Sequence, residues 1–213
     1  MASGRAVKGR AENEVEFGRI VAFSDGVFSI AITLLVLNLG IDKGLTEGQI
    51  DNALWDQREM FFAYAISFAV IGRFWLVHHR LFAEFHAFDS RMIGLNLLYL
   101  GWIVLIPFSS EVLGEYGGKT TAVVLYSVNL AVVVLLGLLM TIDARRRGLM
   151  KIDDRTHREN QIRAVYIAGI FLLSIPVAFV APKIAPWLWL VLFIDPASRL
   201  AGRWSVGPDP EGD

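Results

Sequence analysis

RIVAFSDGVFSIAITLLVLNL, residues Arg19 to Leu39, decides how the rest of the chain is read. It is long and apolar enough for a membrane-spanning helix, which needs about 20 residues. Yet its first four turns carry Arg19, Ser24, Asp25, Ser29 and Thr33. On a wheel of about 100° per residue, three faces separate. Gly18, Ala22, Gly26, Ser29 and Thr33 form a ridge of small residues, which lets helices approach closely in lipid. Phe23, Val27, Ile30, Leu34 and Leu37 form a bulky stripe beside it, while Asp25 projects elsewhere, roughly in line with Ile32.

Ridge and stripe alone are what intramolecular packing or lipid contact require, but the aspartate is not. A carboxylate at membrane depth costs about 3 kcal/mol or more and must face protein or water. Arg19 lies six residues away on another side of the helix, so the partner of Asp25 is expected from another span. RFWLVHH, Arg73 to His79, is the comparable polar concentration, and Trp75 shares a face with His78 and His79 three and four residues on. Asn96, within LNLLYL, is a third contributor at similar depth.

The same reading extends along all 213 residues. With 54% hydrophobic and 19% charged residues and a mean hydropathy of +0.50, the chain is an all-α membrane protein. Apolar stretches predict six spans. The first runs from about Gly18 to Gly40 and the second from about Met60 to Val77. Met92 to Ser110, Thr120 to Ile142 and Ala164 to Pro182 follow, free of formal charge. The sixth, Ile184 to about Leu200, is interrupted by Asp195, Pro196 and Arg199, and a re-entrant or interfacial helix is its alternative. Residues 1–17 mix both charges and lack a signal-peptide core, so they are expected to remain as a cytosolic lead. Residues 18–200 form the transmembrane domain. Residues 201–213, rich in Gly, Pro and acid, read as a disordered cytosolic tail.

Lysine and arginine set the orientation, because cytoplasmic segments retain them. DARRRGLMKIDDRTHRENQIR carries seven basic residues, whereas IDKGLTEGQIDNALWDQRE has two against five acidic ones. Both termini of this multi-pass protein of the cell membrane are therefore expected in the cytosol.

Enzymatic readings are weak. The chain has no cysteine, and HHRLFAEFH offers His78, His79, Glu84 and His86 without the spacing of H-E-x-x-H or the repeated clusters of a membrane di-iron site. Ser24 lacks a G-x-S-x-G context, and no phosphate-cradling glycine motif occurs. No cofactor or resident metal is expected. A net charge of -1 and the acids diluting the basic loop argue against a nucleic-acid partner; the loop from Arg145 to Arg163 is most simply a positive-inside signal or a lipid-headgroup contact.

R-x-x-x-F-S-D-G, Arg19 to Gly26, followed by VFSIAITLLVLNL, closely resembles the first-span signature of the lysosomal and prokaryotic potassium-channel family typified by transmembrane protein 175. The resemblance extends to WLVHHRLF in the second span, to LNLLYL and IPF in the third, and to the six-span length. It implies a single-repeat prokaryotic member that assembles as a homotetramer around a pore lined by the first helix. No TVGYG filter occurs. The family's hydrophobic constriction maps onto Ile30, with Thr33, Leu34 and Leu37 continuing the pore wall. Its structural polar network maps onto Arg19, Ser24, Asp25, Trp75, one or both of His78 and His79, and Asn96. Ser29 stands where alanine is common.

The implied function is passive conduction of potassium, the permeant ion and partner, across the cytoplasmic membrane. A proton-coupled secondary transporter using Asp25 with His78 or His79 is the alternative, and a non-conducting scaffold a third reading. One unpaired repeat and an unbroken first helix favour a symmetric pore over alternating access.

Overall fold

A computed structural model describes residues 10–41 and 43–193; the start of the expected lead and the whole expected tail lie outside the described residues. Among the described residues seven α-helices follow in order: α1 Arg10–Leu34, α2 Glu47–Asp56, α3 Arg58–Ala83, α4 Ser90–Val104, α5 Ile106–Tyr116, α6 Thr120–Arg146 and α7 Asp154–Val180. Short 3₁₀ segments, Leu35–Asn38 and Ala185–Phe193, extend α1 and follow α7. The described residues are otherwise turns and one isolated antiparallel bridge, Phe85 to Met150.

Among the described residues, five segments are long and apolar enough to cross a membrane: Val15–Asn38, Arg58–Ala83, Ser90–Tyr116, Thr120–Arg146 and Asp154–Val180. The expected sixth span begins in the 3₁₀ segment Ala185–Phe193, and its remainder lies outside the described residues. The described part packs inward: Trp189 is buried, its ring 4.9 Å from Tyr126 and 6.2 Å from Phe171.

Helix boundaries depart from the apolar runs for physical reasons. Helix α1 starts at Arg10, eight residues ahead of the apolar stretch that begins at Gly18, because a helix does not have to stop where its apolar run does. Phe17 anchors this extension by stacking on Phe82 and Phe88, with centroids 6.1 and 5.6 Å away. The third span divides at Leu105 into α4 and α5, with Pro107 at the start of α5, where a missing N–H is tolerated. Helix α2 was not foreseen in its loop. Thr46 and Gln49 form a capping box at its start, a pattern present in the sequence as T-E-G-Q. Gly148, at φ +65°, ends α6 in the left-handed conformation, and Leu149 N–H then reaches the Ala144 carbonyl at 2.9 Å.

Helix α6 buries Val123, Tyr126, Leu130 and Val133 against α4, α5 and α7. Two serine pairs cross the interior: Ser67 to Ser110 at 2.7 Å, shared with Tyr126 Oη at 2.9 Å, and Ser127 to Ser174 at 2.7 Å. Each hydroxyl finds a partner where water is absent, as buried polar groups must. Gly114 lets α5 press onto α3, since a Cβ there would lie 3.1 Å from Met60 Cα.

At the end of the bundle carrying the basic loops, charge fastens α4 to α6. Arg91 meets the buried Asp143 at 3.0 Å, Arg147 reaches Asp143 at 3.4 Å, and Arg147 also pairs with Asp89. Asp89 in turn caps α4 by accepting from Met92 N–H at 2.9 Å. Backbone bonds from His86 to Leu149 and from Lys151 to Glu84 zip the two neighbouring loops together.

Candidate functional site

Helix α1 has two contrasting sides. Ser24, Phe28, Ala31 and Leu35, spaced by three and four residues, are buried against the chain's own bundle. Gly18, Ala22, Gly26, Ser29 and Thr33 are exposed in the single chain, as are Phe23, Ile30, Leu34 and Leu37. Ile30 is 59% exposed and Leu37 73%, whereas Phe28 and Ala31 are at 2% and 0%. Ridge and stripe together therefore form one continuous face that the chain leaves uncovered; Val27 at its margin is half-buried.

The buried side is fixed by a directional run of hydrogen bonds. Ser24 Oγ donates to the Ile20 carbonyl at 2.9 Å and accepts from Asn96 Nδ2 at 3.0 Å. Asn96 Oδ1 lies 2.8 Å from His78 Nε2; since an amide oxygen only accepts, this assignment makes His78 the donor through Nε2–H. The run thus reads His78 to Asn96 to Ser24 to the α1 backbone, joining α3, α4 and α1. Aromatic rings close around it: His78 stacks on Phe82 at 4.2 Å, with Phe28 and Tyr99 at 5.4 and 5.5 Å.

A second joint lies beside the first. Trp75 Nε1 donates to Asp25 Oδ1 at 2.9 Å, so a carboxylate on α1 is held by an indole on α3. Two residues named from the sequence are not drawn in by the single chain. Arg19 is exposed, outside both joints, and His79 is exposed with its ring 5.6 Å from that of Trp75. Of the two histidines, His78 is the one bonded to Asn96. Among the described residues no group of three His, Asp or Glu side chains gathers as a metal site.

On the uncovered face, Thr33 Oγ1 donates to the Ser29 and Ile30 carbonyls at 3.0 and 2.9 Å. Its single hydrogen is turned into the helix, leaving oxygen lone pairs outward. Asn38 Nδ2 donates to the Pro107 carbonyl at 3.3 Å, tying the far end of the 3₁₀ turn to the α4–α5 break. Sequence reasoning missed this joint; a lone amide closing an apolar run was its only signal.

The family model described as endosomal/lysosomal potassium channel TMEM175 matches residues 19–107, from the start of the quoted stretch to the proline of IPF. A potassium channel of Chamaesiphon minutus is 30% identical over 195 residues, covering 86% of this chain and 95% of that one. The chain belongs to the TMEM175 family. A potassium channel of Streptomyces collinus is 43% identical over 101 residues, an alignment spanning 47% of this chain and about half, 49%, of that relative. Among solved structures, a lysosomal potassium-selective channel TMEM175 homolog from Chamaesiphon minutus superposes with a TM-score of 0.71 at 26% identity, over 90% of this chain and 100% of that chain.

The TMEM175 match covers α1, α3 and α4, the three helices that carry both joints. The family is one of ion channels. Membrane spans and an all-helical bundle follow as properties of that fold.

Proposed function

We propose that this chain is one subunit of a potassium-permeable channel of the cytoplasmic membrane, four copies of which meet on an axis lined by α1. The supporting observation is the uncovered face of α1, where glycine, alanine, serine and threonine alternate with bulky apolar residues opposite a firmly held buried side. Small residues permit close approach of neighbouring copies, and Ile30 then forms an apolar ring that gates by excluding water. Thr33, Leu34 and Leu37 continue the wall.

The joints serve assembly: Asp25–Trp75 and Ser24–Asn96–His78 fix the rotation of α1 so that Ile30 faces the axis, and Arg19 completes the polar set once copies meet. Asp25 and His78 are bonded to different partners, which favours this structural role over a proton relay between them. The segment from Ile184 to about Leu200 completes six spans, and an even number with the basic loops inside leaves both termini cytosolic. Names of the relatives support the choice of ion.

Planar-bilayer recording of purified protein between potassium and sodium solutions tests the reading. The reversal potential is expected to follow potassium, and Ile30→Asn to raise conductance. A reversal potential indifferent to potassium overturns it.

A further inference from the structure

The far end of α1 changes its winding. Leu35–Asn38 is a 3₁₀ turn, closed by Leu39 N–H on the Val36 carbonyl at 3.0 Å, and the backbone becomes extended at Leu39. A 3₁₀ turn advances about 120° per residue where an α-helix advances about 100°, so residues three apart eclipse. Leu37 therefore stands over Leu34, and Asn38 over Leu35. Exposure follows the same columns: Leu34 and Leu37 are uncovered, whereas Leu35 is buried and Asn38 half-buried. That placement brings Asn38 Nδ2 to 3.3 Å from the Pro107 carbonyl on α5. Two residues on, the Gly40 carbonyl accepts from Gln57 Nε2, so two side-chain amides hold this end of the helix to the bundle.

Continued α winding would set both side chains elsewhere. Counted from Ile30, Leu34 lies about 40° toward the buried side, and Leu37 on an α-helix would lie about 20° to the opposite side. The 3₁₀ turn instead leaves Leu37 at about 40°, in the column of Leu34. It carries Asn38 from about 80° to about 160°, into the sector of the buried Phe28 and Leu35, where its amide meets α5. The place of Leu37 and the hydrogen bond of Asn38 are thus a single conformational choice. Rewinding to α would take the amide about 80° from its acceptor and swing Leu37 by about 60°.

We propose that Asn38 is a positioning residue for conduction: its amide, held by the Pro107 carbonyl, keeps the turn 3₁₀ and so holds Leu37 back from the pore axis. This rests on the reading of α1 as the pore wall with Ile30 facing the axis. A side chain about 6 Å from its own helix axis reaches about 1 Å further toward the pore at 20° than at 40°, which is about 2 Å across a ring of four copies. An apolar ring narrowed by that much excludes water more strongly, and conduction through it falls. Asn38 acts through Leu37 and not on the ion.

Single-channel recording of the full chain in planar bilayers, with potassium on both sides, tests this. Asn38→Ala is expected to lower unitary conductance severalfold. Leu37→Ala should raise it, and Leu37→Ala combined with Asn38→Ala should conduct like Leu37→Ala alone, because no bulky side chain remains to be misplaced. A merely structural loss at Asn38 would lower conductance in both backgrounds. Asn38→Gln keeps the amide donor and should restore wild-type conductance, which covers the case in which Asn38→Ala does not assemble. Unchanged conductance in Asn38→Ala overturns the assignment. So does a further fall when Asn38→Ala is added to Leu37→Ala, or a reduced conductance in assembled Asn38→Gln. A wild type that carries no potassium current overturns the channel reading itself, and this proposal with it.

Discussion

The hydroxyl of Thr33 spends its one hydrogen on the carbonyls of Ser29 and Ile30, so what it offers outward is an acceptor oxygen. That is the polarity a potassium ion needs when it sheds part of its hydration shell. Thr33→Val keeps the shape and removes the oxygen. Under the proposed pore, the potassium-over-sodium permeability ratio should fall severalfold with little change in thermal stability, as read from bi-ionic reversal potentials. An unchanged ratio places selectivity elsewhere. At Asn96 the question is stability instead. Asn96→Ala leaves His78 Nε2–H and Ser24 Oγ without their partner in a buried site, and an unsatisfied buried polar group costs about 1–3 kcal/mol. Membrane hydrogen bonds measured by double-mutant cycles are worth less, about 0.6 kcal/mol on average. A loss of about 2 kcal/mol in detergent unfolding is therefore expected, whereas a loss of a few tenths would show that water enters and repairs the gap.

Between elements, the fastening of α4 to α6 at Asp143 separates buried from exposed electrostatics. Asp143 is 8% exposed, but the Arg91 side chain that meets it is 65% exposed, so most of that partner's charge stays in water. A fully buried pair loses about 3–5 kcal/mol when one member is removed, and an exposed pair about 1 kcal/mol or less. Asp143→Asn is expected near the lower figure, at roughly 1 kcal/mol, because Arg147 retains Asp89. Thermal unfolding of the variant checks this. A loss of several kcal/mol would mean that the loops zipped by the Phe85–Met150 bridge shut solvent away from the pair more fully than its exposure indicates.

For the whole molecule, folding of the subunit and assembly of subunits are separable. A Cβ at Gly26 meets nothing within 4 Å in the single chain, so a larger side chain there costs the subunit no packing. A helix interior even prefers leucine to glycine, by about 0.5–1 kcal/mol. If the α1 ridge is where copies meet, Gly26→Leu should leave helix content and subunit unfolding intact while reducing the oligomer to smaller species, as measured by light scattering behind size exclusion. An unaltered oligomer would move the assembly interface to another face.

The amino-acid sequence alone determined that the chain is a helical membrane protein, where five of its apolar spans lie, and which face of α1 is small and which bulky. Those properties follow from local periodicity and from the length of helix a bilayer demands. It also singled out Asp25 as needing a partner, since the cost of a carboxylate in lipid holds in any fold. The partner's identity required the tertiary structure. Trp75 is 50 residues away from Asp25 and Asn96 is 72 from Ser24, and helical spacing carries no information on which turns of different helices adjoin. The same holds for His78 over His79: the two share a local sequence but lie about 100° apart around α3, and only the packing of α1, α4 and α3 turns one inward. The Arg91–Asp143–Arg147 fastening was invisible for a related reason, because its charges sit at span ends, where sequence reads them as loop composition and only the three-dimensional arrangement pairs them.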